Sequence, residues 1–211
     1  MTQRQLERER GLDRFLTFVD AVVAIAITLL VLPLAEIAGE VGEASVTDLL
    51  DEHRGELFAF VLSFFVIAQL WFAQHHVVDG LVRQDPLVVR LLLLWLFTIV
   101  VLPFPTALLA DASDDAATKV LYIGTLAISS LLLALVAWRI RRNPAIRDTE
   151  AGPDPAPIAV LVVAFVVALA ISLVWPATSY WPLFLLALND PIVGAWRRAR
   201  GSGSATTRVG G

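Results

Sequence analysis

The chain reads as an all-α, polytopic membrane protein with six transmembrane helices, and three observations lead there. Of its 211 residues, 57% are hydrophobic and 17% charged, with a mean hydropathy of +0.74, a balance that excludes an ordinary soluble domain. The apolar residues gather into six stretches parted by charged or Pro/Gly-rich breaks, each near the roughly 20 residues that a bilayer crossing requires. Lys and Arg also alternate by loop, as they do when a chain weaves through a membrane.

Taken in order, residues 1–12 are polar, with Arg and Glu mixed, and read as an amphipathic extension of the first helix or a disordered lead. The first span runs from about Phe15 to Leu34, with Pro33 in its last turn removing a backbone donor and kinking or ending it. Its apolar core is long and no Ala-x-Ala site follows, so it reads as an uncleaved helix rather than a signal peptide. Ala35 to Glu56 carries seven acids against Arg54, with room for a short interfacial helix around Val46 to Asp51. The second span covers Leu57 to Val78, the third Leu87 to Leu109 and the fourth Lys119 to Trp138. A Pro-rich linker at 153–157 precedes the fifth, Ile158 to Trp175. The sixth follows Tyr180 and reaches about Trp196, interrupted at Asn189-Asp190-Pro191. Residues 1–200 thus form one membrane domain, and the Gly/Ser/Thr-rich residues 201–211 a flexible tail.

Sidedness follows from counting Lys and Arg. The amino terminus, the second and fourth loops and the carboxyl tail hold fourteen; the first and third loops hold only Arg54 and Lys119. Both termini are therefore expected in the cytoplasm, with the acidic loops outside. The outer acids keep the chain oriented or, if several copies converge, enrich cations at a mouth.

From Ala21 to Leu34 the first span carries no charge, yet Asp20 immediately precedes it. An ionisable group so close to an apolar core is costly and points to function. Ile25, Leu29 and Leu32 share one side of this helix, with Thr28 a turn beyond Ile25. By spacing alone they are lipid-facing or core residues, and Thr28 bonds its own helix. The run Arg14-x-x-x-Phe18-x-Asp20-x-x-x-Ala24-Ile25-x-x-Thr28-Leu29-Leu30 resembles the first-helix signature of the endosomal/lysosomal potassium channels, the transmembrane protein 175 family. Val19 departs from it, standing where that family has Ser. Trp71 followed by His75-His76, and Pro103-Phe104-Pro105-Thr106, resemble the same family; a Leu stands early in the third helix where the family often has Asn.

The resemblance implies a prokaryotic potassium channel in the plasma membrane: a homotetramer whose first helices line the pore, without a loop filter. In that reading Ile25 is the hydrophobic bottleneck, Leu29 and Leu32 are the next apolar rings, and Thr28 offers a ring of hydroxyls to a partly dehydrated potassium ion. Arg14, Phe18, Asp20, Trp71, His75 and His76 would couple the first helix to its neighbours. Asp79, at i+4 from His75 and i+3 from His76, is expected to pair with one of them rather than to complete a metal site.

The expected partners are membrane lipid, potassium and further copies of the chain, with no cofactor, metal or nucleic acid. With no cysteine, thiolate chemistry is excluded, and no phosphate loop, nucleophile elbow or paired-carboxylate pocket suggests an enzyme. Two alternatives remain open. One is a secondary transporter with a site near Asp20 and Asn189 to Pro191; the other is a non-transporting membrane scaffold.

Overall fold

The computed structural model describes residues 3–39, 45–111, 115–148 and 152–174. Every regular element within them is helical, apart from an isolated antiparallel bridge between Leu81 and Arg147. The first span is two helices, α1 (Gln3–Leu29) and α2 (Leu32–Ala38), so the polar lead is helical from Gln3. The break falls earlier than the proline, at Leu30 and Val31, whose N–H groups turn back to Ile27 and Thr28 carbonyls at 3.3 and 3.2 Å. The reason is local: a proline ring collides with the carbonyl four residues before it, here that of Leu29.

The expected interfacial helix is α3 (Val46–Glu52), capped by the Ser45 hydroxyl accepting from the Asp48 N–H. The second span is α4 (Arg54–Val78). The third is again broken by proline, into α5 (Pro86–Val101) and α6 (Pro103–Asp111). The fourth is α7 (Ala116–Arg142), with Asp115 as its cap and Arg139, Arg141 and Arg142 in its last turn, where cations meet the negative end of the helix dipole. A 3-10 turn, Pro144–Ile146, leads towards α8 (Ala156–Val174).

Among the described residues, the four stretches Arg10–Ala38, Arg54–Val78, Pro86–Ala110 and Ala116–Arg142 are long and apolar enough to span a membrane, and α8 adds a shorter apolar helix. The expected sixth span, its Asn189 to Pro191 interruption and the 201–211 tail lie outside the described residues.

The core forms around α7, which packs on α8, α5, α4 and α6. Tyr122, Ile123, Leu126, Leu133, Val136 and Ile140 of α7 are buried against Leu62, Ile67 and Trp95. Ser63 Oγ lies 2.8 Å from Thr106 Oγ1 and 3.0 Å from the Tyr122 hydroxyl, tying α4, α6 and α7 together in the apolar interior. Lys119, counted as a charge of an outer loop, has its side chain buried in the first turn of α7. The helix α1 stands at the margin. It rests mainly on α5, and its most apolar stretch is 22% buried against 50% for that of α7.

Candidate functional site

Two faces of α1 differ sharply. Leu12, Val19, Val23, Ala26 and Leu30 are buried against the protomer. On the other side Phe18 (52% exposed), Ile25 (58%), Leu29 (39%) and Leu32 (51%) are exposed, as is Thr28. Phe18, Ile25 and Leu32 recur every seven residues and so fall on nearly one line, although Leu32 lies beyond the α1–α2 break. The Thr28 hydroxyl donates to the Ile25 carbonyl of its own helix at 2.7 Å. Its proton is committed to the helix, and the oxygen's remaining lone-pair capacity faces outward.

Of the residues expected to couple helices, the structure brings three together. Trp71 Nε1–H donates to Asp20 Oδ1 at 3.1 Å, His75 Nε2 stands 3.6 Å from the same oxygen, and the Trp71 and His75 rings meet edge-on at 4.4 Å. The His75 Nδ1 is held on the Trp71 carbonyl at 3.1 Å, which fixes the ring's direction. The other three are elsewhere. His76 is exposed and bonded to the Phe72 carbonyl of its own helix; Arg14 is exposed, with no ion pair to a described residue; and Phe18 belongs to the uncovered face.

The expected Asp79 pairing is corrected too. Asp79 is the last residue held by α4, its N–H on the His75 carbonyl at 2.9 Å, but the ring bonds of the two histidines go instead to the Trp71 carbonyl and Asp20 (His75) and to the Phe72 carbonyl (His76). Val19 is fully buried, so the position where the family carries a hydroxyl is here an apolar contact.

A second polar cluster was not foreseen. Asp85 caps α5, accepting from the N–H groups of Leu87 and Val88 at 3.0 and 3.1 Å. Its two oxygens also receive Arg139 Nη2 at 2.7 Å and Nε at 3.3 Å, with Asn143 Nδ2 at 3.4 Å. The Arg139 hydrogen bond, together with the two backbone donors, holds the Asp85 carboxyl below its ordinary value against the opposing effect of burial. The Asp85-Pro86 pair is a legible helix start; the Arg that completes it lies 54 residues on.

In the acidic stretch between the first two spans, Asp51 pairs with Arg54 at 2.8 Å and Glu56 with His53 at 2.9 Å. A crevice of about 10 Å³, roughly one water sphere, lies behind the α1–α2 break between Leu30, Pro33, Glu56 and Thr106. No described group of three or more His, Asp or Glu residues is arranged to hold a metal ion.

Known proteins fit this arrangement. The sequence profile of the family described as endosomal/lysosomal potassium channel TMEM175 matches residues 14–103, from Arg14 to the Pro103 break. A protein named as a potassium channel from Streptomyces collinus is 32% identical over 130 residues, which is 60% of this chain and 63% of that relative's length. The crystal structure of a lysosomal potassium-selective channel TMEM175 homolog from Chamaesiphon minutus has the same fold. Its TM-score is 0.71 at 24% identity, covering 87% of this chain and 97% of that one. These relatives are named for conduction, not catalysis. Signature, profile and fold converge on one likeness: over residues 14–103 the chain is similar to the TMEM175 family, and its fold is that of the Chamaesiphon minutus homolog.

Proposed function

We propose that this protein is a potassium-favouring cation channel, a homotetramer in which copies of α1 surround the pore. The observation that carries the reading is the uncovered face of α1, which holds Ile25, Thr28, Leu29 and Leu32 while its back is packed on the protomer. One helix cannot enclose water, so an ion path along this face needs several copies around an axis. Ile25 then forms the narrowest ring and Leu29 and Leu32 further apolar rings, which conduct or block according to whether water fills them. Thr28 suits a cation because its hydroxyl proton is bound to the Ile25 carbonyl and only oxygen lone pairs face the path. One such ring gives modest selectivity. Asp20, tied to Trp71 and His75, anchors the helix.

The Arg-rich end faces the cytoplasm of a prokaryotic cell. Supporting that sidedness, the 79–85 turn meets both the α7–α8 linker, through Leu81 and Arg147, and α1, where Gln84 lies against Gly11. The segments that sidedness assigns to one compartment therefore share one end of the protomer. The transporter alternative loses one of its two residues of interest, since Asp20 is engaged between helices.

Purified protein in liposomes should pass potassium, with sodium appreciably slower. Ile25→Ala should enlarge the leak and bring sodium flux closer to potassium flux. Absence of potassium flux under any gradient would overturn the reading, and saturable, substrate-coupled exchange would favour the carrier.

A further inference from the structure

The turn joining α4 to α5 touches three other parts of the protomer. The N–H groups of Val82 and Arg83 both reach the Ile146 carbonyl, at 2.9 and 3.3 Å, and the Asp148 N–H returns to the Gly80 carbonyl at 3.0 Å. Asp85 closes the turn against α7 through Arg139 and Asn143. Gln84 lies on α1, where a β-carbon on Gly11 would stand 3.5 Å from its Nε2. The helix that Asp85 caps, α5, is also the main surface beneath α1. None of these residues belongs to the uncovered face, so their effect on it is mechanical.

We infer that Asp85 is a positioning residue for the pore helix: by capping α5 and gripping Arg139 of α7 and Asn143 just beyond its end, it fixes the 79–85 turn under α1. It thereby sets how far the α1 copies stand from the shared axis. The inference rests on the α1-lined pore proposed above. A nearly buried carboxylate that accepts from two backbone N–H groups, a guanidinium and an amide has little freedom to shift. Charge-assisted bonds of this kind are stronger and more directional than neutral ones. An apolar ring amplifies small changes in radius, because wetting of a narrow constriction is close to all-or-none.

The test compares wild-type protein with Asp85→Ser, which keeps a capping hydroxyl but loses the ion pair, with Arg139→Met, and with the double variant. The readout is the potassium-to-sodium permeability ratio in liposomes. This ratio does not depend on how many channels assemble, so a purely structural loss leaves it unchanged. Each single variant should shift the ratio by about fivefold, the lower end of ordinary coupling between sites, and the double variant no further. An unchanged ratio in assembled single variants overturns the inference.

Should those variants not assemble, Gln84→Ala, at an exposed position of the same turn, should shift the ratio in the same direction; an unchanged ratio there overturns it as well. A readout independent of flux separates this inference from the channel reading. The chain has no cysteine, so Ala21→Cys carries a single spin label on the exposed side of α1. The label-to-label distance between subunits should change when Asp85→Ser is added. If wild-type protein passes no potassium and the distance still changes, the channel reading fails and the positioning role stands. An unchanged distance in an assembled protein overturns the positioning role.

Discussion

Thr28 and Asp85 show how far single residues carry the argument. The Thr28 hydroxyl bonds the Ile25 carbonyl, which satisfies the helix and leaves the outward side of its oxygen an acceptor. Thr28→Val keeps the shape and removes that acceptor. It should lower the potassium-to-sodium ratio towards unity with little change in melting temperature, as bi-ionic liposome flux beside a thermal melt would show. A scaffold that conducts nothing would tolerate the substitution.

Asp85 makes a prediction in pH. Its folded carboxyl is held below the ordinary value of 3.8 by Arg139 and the helix N–H groups. Its contribution to stability is therefore complete above that value and fades as the pH falls below it, through the folded value. Melting temperature measured from pH 6 down to pH 3 should drop at the acid end. Asp85→Asn should start lower at pH 6 and show a smaller acid-dependent drop.

Among the elements, the broken helices matter most. Pro33 and Pro103 each interrupt a span, and both breaks begin before the proline because its ring and missing N–H act on the preceding turn. This places Leu32 on α2, which does not continue the helical ladder of Ile25 and Leu29, so in the proposed pore its ring would be carried by a different helix from the other two. The α4–α5 turn has its own constraint. Gly80 has φ +76° while its carbonyl accepts from Asp148, a left-handed conformation that a β-carbon disfavours. Gly80→Ala should cost about 1–2 kcal/mol in unfolding free energy, read from a denaturant or thermal transition, and loosen the turn's pairing with the α7–α8 linker.

For the whole molecule, the core lies around α7, and one side of α1 stays exposed among the described residues. The layout of helices is that of the Chamaesiphon minutus channel homolog. A mass measurement in mild detergent should find four copies, and any value below three is incompatible with a path enclosed by α1. Cross-linking through Ala21→Cys should join subunits, whereas an α1 facing lipid would leave them unlinked.

Hydropathy is a local property, so the sequence by itself determined the helical class, the positions of the first four spans and the short helix α3. It also marked Asp20, because an acid beside an uncharged core is conspicuous wherever it folds. Asp20's partners were only half legible: Trp71 and His75 were named, but Arg14, Phe18 and His76 were grouped with them although they do not join. Helical spacing puts Asp79 within reach of the paired histidines, yet their rings bond Trp71, Asp20 and Phe72 instead.

The Asp85–Arg139–Asn143 cluster and the Ser63–Thr106–Tyr122 contacts had no local signal beyond a helix cap. Their members lie 43 to 59 residues apart, and only the packing of α4, α5, α6 and α7 brings them within hydrogen-bond reach. The same packing decided which side of α1 is covered. Periodicity makes Ile25, Leu29 and Leu32 neighbours on a helix; only the protomer's core, by occupying the opposite side, leaves them free to meet something else.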